Sequence, residues 1–311
     1  MNYNDFFYGA SEGNLQLEAI REGRIKMGLG IGIPSVDDYL RYKQGQFNMM
    51  NSHDNTGKTT WMLWYYCVLS LKYGLTWDIF SSENSIISLK RDVLQFMQGK
   101  RLDTMNESLF YRAVDEMNQY FKFIKTDRMY TAKEILDVST STKSTGLLID
   151  PYNSLKSDGK NANKHLEDYD ICAEIRIFCK QTNKTVYVNA HLVTEAARRR
   201  YPKEHIFEGH LTPAEKADCE GGQKFANRAD DFLTGHRMTQ HEQRKNIFEL
   251  HVRKVKETIT GGAQTPRDKP IEFVFDNYKG FLINGINPLA LPKQTENTNL
   301  LTPFQNEEYQ F

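Results

Sequence analysis

No stretch of this 311-residue chain approaches the roughly 20 consecutive apolar residues that a membrane-spanning helix needs. Met1 to Tyr8 is polar and aromatic, without the basic flank and apolar core of a secretory leader. A soluble protein with no membrane partner is expected. Cysteine is scarce: Cys67, Cys172, Cys179 and Cys219 lack the paired spacing of a zinc site and are too sparse for a disulfide framework. A reduced, cytoplasmic protein is the simple reading. Net charge is missing too, because 40 basic residues cancel 40 acidic ones. A polyanion partner would therefore be held by a local patch rather than by the field of the whole molecule. No internal repeat is apparent, and the length suits one large α/β domain with short appendages better than two full domains.

Against these absences stands one dense signal, Gln46–Thr60, which reads QFNMMNSHDNTGKTT. It has the order strand, tight loop, long helix that a phosphate-binding loop requires. The residues Ser52, His53, Asp54, Asn55, Thr56, Gly57, Lys58, Thr59 and Thr60 are the expected nucleotide cradle. Backbone N–H groups and the positive end of the following helix would surround the β-phosphate, and Lys58 would reach the β- and γ-phosphates. The Thr59 hydroxyl would ligate Mg²⁺. ATP with Mg²⁺ is the implied cofactor. One departure is visible: the usual pattern has Gly five residues before Gly57, where this chain has Ser52. A bare GKTT can arise by accident, so the strand and helix around it carry the assignment.

Residues 1–26 contain one modest amphipathic pattern (Leu15, Leu17, Ala19, Ile20) and read as an arm whose apolar face is too small to fold alone. From 27 to 285, strand and helix patterns alternate, which predicts a mostly parallel twisted sheet with helices on both faces. Strands are expected at Gln46–Asn51, Thr76–Phe80, Phe121–Lys125, Gly146–Asp150 and Thr185–Asn189. Phe232–Arg237, Ile247–Lys254 and Ile271–Phe275 read as closing antiparallel strands. Thr59–Tyr73 is an apolar helix ending at Gly74, and Thr131 to Glu134 is a capping box. Residues 286–311 turn to Pro, Asn, Gln and Thr and read as a flexible tail.

A nucleotide site also needs carboxylates. The run Gly146-Leu147-Leu148-Ile149-Asp150 ends in one at the sheet's carboxyl edge, where Asp150 would hold the metal. A plain strand followed by an Asp-Pro turn is the competing reading. Glu83, just past strand Thr76–Phe80, can orient and deprotonate a water attacking the γ-phosphate; alternatively it caps the next helix. His191, just past Thr185–Asn189, brings a polar side chain to the same edge and could sense the γ-phosphate, although a lone histidine is usually structural.

The string GIPSVDDYL (32–40), the GQFN that runs into the loop, FSSENS around Glu83, LLIDPYNSL around Asp150, NAHL around His191 and EGGQKFANRADDFL (220–233) together resemble the ATPase domain of DnaB-type replicative helicases and phage or Twinkle-type primase-helicases. The resemblance spans roughly 28–284 in the same order. It implies a RecA-like P-loop NTPase fold assembled into a ring, usually a hexamer, around one DNA strand, with ATP between subunits. It implies Glu83 as catalytic base, Asp150 on the metal, His191 as sensor and a DNA-contacting loop after it. The family also sends a Lys-x-Arg pair across the interface. Here the strand offers Lys254-x-Lys256, with Arg253 beside it, so a lysine point charge replaces a planar fork.

Single-stranded DNA is the implied partner, and phosphate contacts by cations give sequence-independent, salt-sensitive binding. The candidates are Arg198, Arg199, Arg200 and Lys203, with Lys216 and Lys224 further on, and a second loop around Lys160. An ordinary solvated basic loop is the plainer alternative for both. The tail, ending EEYQF, could dock replisome partners, though simple disorder accounts for it as well. Brevity leaves no room for a primase domain or large collar, so priming is expected to reside elsewhere, in a compact phage-type context. The leading expectation is an ATP-driven helicase or translocase on single-stranded DNA. A recombinase-like filament ATPase and a non-motor assembly or loader protein are the alternatives. An activated-water carboxylate such as Glu83 argues against a mere binder.

Overall fold

A computed structural model describes residues 7–291 except 12, 25, 158–163 and 221. Lys160, and the tail from 292 on, lie outside the described residues. The N-terminal arm carries a helix, α1 (Asn14–Arg21), with no buried residue, and Leu15, Leu17 and Ile20 are exposed. A one-turn helix, α2 (Pro34–Asp37), follows; its Asp37 carboxylate turns back to accept the N–H groups of Ile31 and Gly32.

Strand β1 (Phe47–Ser52) is buried along its whole length, as a strand covered on both faces must be. Helix α3 (Lys58–Tyr73) is apolar nearly all round because it packs under the sheet's centre, and Gly74 (φ 73°) ends it with a bond to the Ser70 carbonyl. Then come β2 (Trp77–Ser81), α4 (Ile86–Gln98), α5 (Glu107–Tyr120), β3 (Phe121–Phe123), α6 (Ala132–Thr140) and β4 (Gly146–Asp150). The capping box is present, with Thr131 and Glu134 exchanging side-chain and backbone bonds at the start of α6. Next are α7 (Lys164–Thr182), β5 (Thr185–Ala190), α8 (Gln223–Arg228), β6 (Asp231–His236), β7 (Ile247–Lys254), β8 (Ile271–Asp276) and β9 (Gly280–Leu282).

The nine strands form one sheet in the order β3-β2-β4-β5-β1-β6-β7-β8-β9. Period-2 alternation divides the core between its faces. Met50, Leu148 and Tyr187 point to one side, with α3, α4 and α5, while Phe47, Met49, Leu147, Ile149, Val186 and Val188 point to the other, with α6, α7 and α8. The first layer is aromatic: Trp61 stacks on Tyr65 and Phe248, and Tyr66 on Trp77, at 5.2, 6.0 and 3.8 Å between ring centroids.

The structure corrects the strand directions. The segment expected as the first closing antiparallel strand, β6, runs parallel to β1, pairing Asn48 with Asp231 through Ser52 with Gly235. Only β7, β8 and β9 are antiparallel additions. Periodicity cannot distinguish these cases, since a buried strand reads the same in either direction. Helix α5, unanticipated, has a mostly polar surface and starts at an Asn106 cap. At the far end, residues 288–290, expected in the tail, form a short 3-10 turn with Pro288 buried, and Leu289 and Leu291 pack on the aromatic layer.

The β8–β9 turn ends at Gly280, whose φ of 77° favours glycine and whose absent Cβ leaves room for the Trp64 indole. Gly280→Ala is expected to lower stability by about 2–4 kcal/mol, strain and overpacking together. A urea midpoint that falls without a change in slope would report this.

Candidate active site

All parallel strands end at one edge, and the sequence has placed its reactive side chains there. From β1 the chain enters the loop at Ser52 and passes through Asn55 (φ 58°) and Gly57 (φ 94°) before α3 begins at Lys58. The Ser52 departure is explained locally. Ser52 is still in the strand and has no positive φ, so glycine is not required, and its hydroxyl bonds the His53 carbonyl at 3.1 Å. The Thr56 hydroxyl bonds the same oxygen at 2.8 Å, closing the loop on itself. With α3 sixteen residues long, its unpaired N-terminal amides face the cleft as a preformed anion site.

Lys58 donates to the Ala190 carbonyl at 3.1 Å across the cleft floor. Burial pushes its pKa below the ordinary lysine value, opposed by the nearby charges of Asp150 and Glu83. Asp150, 1% exposed, is the convergence point. Its Oδ2 accepts from Thr59 Oγ1 at 2.7 Å and Ser81 Oγ at 3.0 Å, and its Oδ1 from Asn189 Nδ2 at 2.8 Å. The register that pairs Ser81 with Asp150 sets β2 beside β4. Glu83 follows two residues later, and its Oε1 lies 2.8 Å from His191 Nε2. Glu83 does not cap α4; Ser85 does, accepting from the Ser88 amide at 3.1 Å. His191 is held from three sides: its backbone N–H donates to Asn153 Oδ1 at 3.1 Å, its carbonyl accepts from Glu220, and its Nδ1 lies 3.7 Å from Asp54.

The phosphate loop, Thr60, Glu83 and His191 line an open cleft of about 700 Å³. Arg237, Phe275 and Phe281 form its outer wall, with the Arg237 guanidinium 5.2 Å from the Phe275 ring centroid. Sequence reasoning missed these three and also the roles of Ser81 and Asn189. The serine and asparagine were findable as polar residues at the ends of otherwise apolar strands. Arg237 and Phe275 were not, because they come together only when β6 and β8 pair with opposite sides of β7.

The remaining candidates lie elsewhere. Arg198, Arg199, Arg200 and Lys203 sit on an exposed hairpin closed by an Arg200–Leu211 bridge, and Arg199 pairs with Asp218. Lys216 opens a short 3-10 turn, and Lys224 lies on α8, both half-buried. Arg253, Lys254 and Lys256 stand at the opposite edge of the sheet, since β7 is antiparallel and Lys254 pairs with Phe232 at the start of β6. The structure separates these three. Arg253, with 12% side-chain exposure, donates to the Ala214 carbonyl, and the Lys254 ammonium caps the carbonyls of Ala226, Asn227 and Ala229. Only Lys256, at 54%, reaches outward, tethered to Asp230 at 3.1 Å.

No family model matches the chain, and no curated protein matches its sequence significantly. Solved structures do match its fold. A solved ATPase domain superposes with a TM-score of 0.69 over 89% of this chain and 99% of its own, at 14% identity. The chain shares the fold of that domain, a RecA-like α/β fold. A DnaB-like replicative helicase, solved in a study of its interactions with primase, matches at TM-score 0.69 over 88% of this chain and 68% of its own, at 15% identity. Among the described residues, no helix is long and apolar enough to cross a membrane.

If this cleft takes a nucleotide, ligand linkage makes it measurable. An ATP analogue with Mg²⁺ at a hundred times its Kd should stabilise the fold by about 2.7 kcal/mol. Lys58→Met is expected to abolish that gain, as read by the rise in Tm.

Proposed function

We propose that this chain is an ATP-driven motor on single-stranded DNA, a helicase or translocase of the DnaB type that hydrolyses ATP between the subunits of a ring. The observation that carries this reading is the meeting of Lys58, Thr59, Glu83, Asp150 and His191 at one cleft. A protein that only bound nucleotide would need the first two and a metal carboxylate, but no second carboxylate at the same cleft.

The residues fit ATP with Mg²⁺. The loop amides and Lys58 suit the β- and γ-phosphates, while Arg237 over Phe275, with Phe281, offers a flat cationic wall to a base. The donor set at Asp150 is all oxygen on the metal side, a carboxylate and the Thr59 hydroxyl, which is hard-cation chemistry. Bound there, Mg²⁺ would neutralise charge on the phosphate oxygens. Asn189 and Ser81 hold the carboxylate in place whether or not Thr59 turns to a new partner. Glu83 acts as general base, taking a proton from the attacking water. In the present arrangement His191 occupies Glu83; turning its Nε2 toward a γ-phosphate would free the carboxylate, which makes His191 the sensor.

The trans-acting cation in this reading is Lys256. One chain cannot bring it to its own cleft, because the two stand at opposite edges of the sheet. A head-to-tail neighbour can, and such an interface closes into a ring when its rotation permits. The hairpin cations Arg198, Arg200 and Lys203, with Lys216 and Lys224, would track the DNA backbone. A six-membered ring, a replicative role in a phage-type cytoplasmic setting and partners on the tail complete the proposal.

Glu83→Gln is expected to lower DNA-stimulated ATP turnover by about 10²–10⁴-fold while nucleotide binding survives. Equal turnover in both proteins would remove the motor reading, and micrographs showing open filaments in place of rings would favour a recombinase. Lys256→Ala should lower turnover as well. Mixed with Lys58→Met, it should regain activity, since a normal cleft then meets a normal neighbour; no regain would place Lys256 outside the site.

A further inference from the structure

The strand and loop that form the phosphate cradle also grip a second segment. The imidazole of His53, the second residue of the loop, is 7% exposed, and its Nε2 lies 3.0 Å from the Thr212 carbonyl oxygen. Two residues earlier, Asn51 Nδ2 donates to the Glu215 carbonyl at 3.0 Å. The Asn51 Oδ1 accepts from Thr234 at 2.7 Å, which fixes the way the amide faces. On its other side the same segment is held by Arg253, which donates to the Ala214 carbonyl at 3.0 Å, and by Arg253 and Arg267 against the Glu215 carboxylate at 3.8 and 3.4 Å. Thr212-Pro213-Ala214-Glu215 is thus a strap clasped between the nucleotide edge and β7.

What flanks the strap gives the clasp its meaning. Immediately before it lies the hairpin with Arg198, Arg200 and Lys203, joined to the strap by the Thr212 amide on the Arg199 carbonyl at 3.2 Å. Immediately after it come Lys216 and then Asp218, which pairs back to Arg199. Both flanks are therefore tied to the strap in one bonded unit. The loop end is equally stiff: the Ser52 and Thr56 hydroxyls both hold the His53 carbonyl, so a shift of the loop carries His53 with it. Burial holds the imidazole below the usual histidine pKa, so near neutral pH it is an uncharged single donor aimed at a carbonyl.

We propose that His53 is a positioning residue that couples the two ligands: its bond to Thr212, backed by Asn51 on Glu215, transmits the state of the phosphate loop to the strap and sets how the cations on both flanks are presented to single-stranded DNA. This rests on the reading above that those cations meet DNA. A purely structural latch would hold the strap equally in every nucleotide state. The coupled latch makes DNA affinity depend on which nucleotide is bound, and linkage requires the reverse effect to be equal.

The test is the ratio of oligo(dT) dissociation constants with saturating ADP·Mg²⁺ and with saturating AMP-PNP·Mg²⁺, at fixed salt. For the unmodified protein the ratio should differ from one by at least about 5-fold, the low end of ordinary coupling. His53→Leu, apolar and of similar bulk, should bring it within about 2-fold of unity. His53→Gln, which keeps a donor of similar reach, should retain it. Coupling that survives His53→Leu overturns the proposal, as does its loss in both variants, which would point to packing rather than the bond. Oligo(dT) binding indifferent to nucleotide overturns this inference alone, whereas no binding in either state removes the DNA reading and this one with it. Should His53→Leu fail to fold, amide exchange of the unmodified protein decides. Peptides spanning 199–218 should exchange differently in the two nucleotide states, and identical exchange overturns the coupling.

Discussion

The structure depends on a buried carboxylate that three separate elements must satisfy at once. Asp150, at the end of β4, takes a hydroxyl from the first turn of α3, a hydroxyl from the end of β2 and an amide from β5. An ionised carboxylate with no partner is too costly to bury, so these donors are a condition for folding the edge as well as for using it. Satisfying them fixes the relative heights of β2, β4 and β5 and the start of α3. Those heights then put Glu83 and His191 within hydrogen-bond reach across the cleft mouth. The same contacts that make the edge foldable bring the reactive groups together.

Holding six strands parallel has its own requirement, since both faces must be covered. The chain meets it asymmetrically. One face is filled by the tryptophans and tyrosines of α3, whose area lets a single helix serve most of the sheet's centre; the other is filled by α6, α7 and α8 together. The antiparallel strands β7–β9 extend the aromatic layer on the first face through Phe248, Phe273 and Phe281. On the second face they present Glu249, His251 and Arg253, a polar surface that the hairpin and strap cover. That polar layer is where nucleotide edge and basic hairpin come into contact.

Much of this was legible in the residues. The loop, the three strand ends and the capping box announce themselves because each uses local chemistry: a hydroxyl next to a lysine, a carboxylate after an apolar run, threonine three residues before glutamate. Strand direction was not legible, as β6 demonstrates, because alternation and apolarity report burial and carry no information about which neighbour a strand joins. Arg237 and Phe275 belong to the cleft only through pairing of distant strands, and neither carries a local mark of it. The run Arg253, Lys254, Lys256 shows the same limit from the opposite side. Three cations close in sequence looked interchangeable until packing turned one into a strap clamp, another into a helix cap and left the third outward.

These assignments also connect the two edges of the sheet. From the strap at Thr212 the chain continues through Lys216 and α8 to Asp230, and so runs from the nucleotide edge to the opposite one. Arg253 grips it near the beginning and Lys254 at the end of α8. Asp230 then binds the Phe47 amide at the root of β1, the guanidinium of Arg176 and the ammonium of Lys256. A displacement of the strap therefore has a short, hydrogen-bonded route to the anchor of the outward lysine. In the proposed head-to-tail assembly that lysine would face the next cleft, so a chain whose loop responded to its own nucleotide would be placed to alter its neighbour's. Sequential action around a ring requires such a link between successive sites. Under the proposed function, one segment of chain clasped at both edges would supply that link.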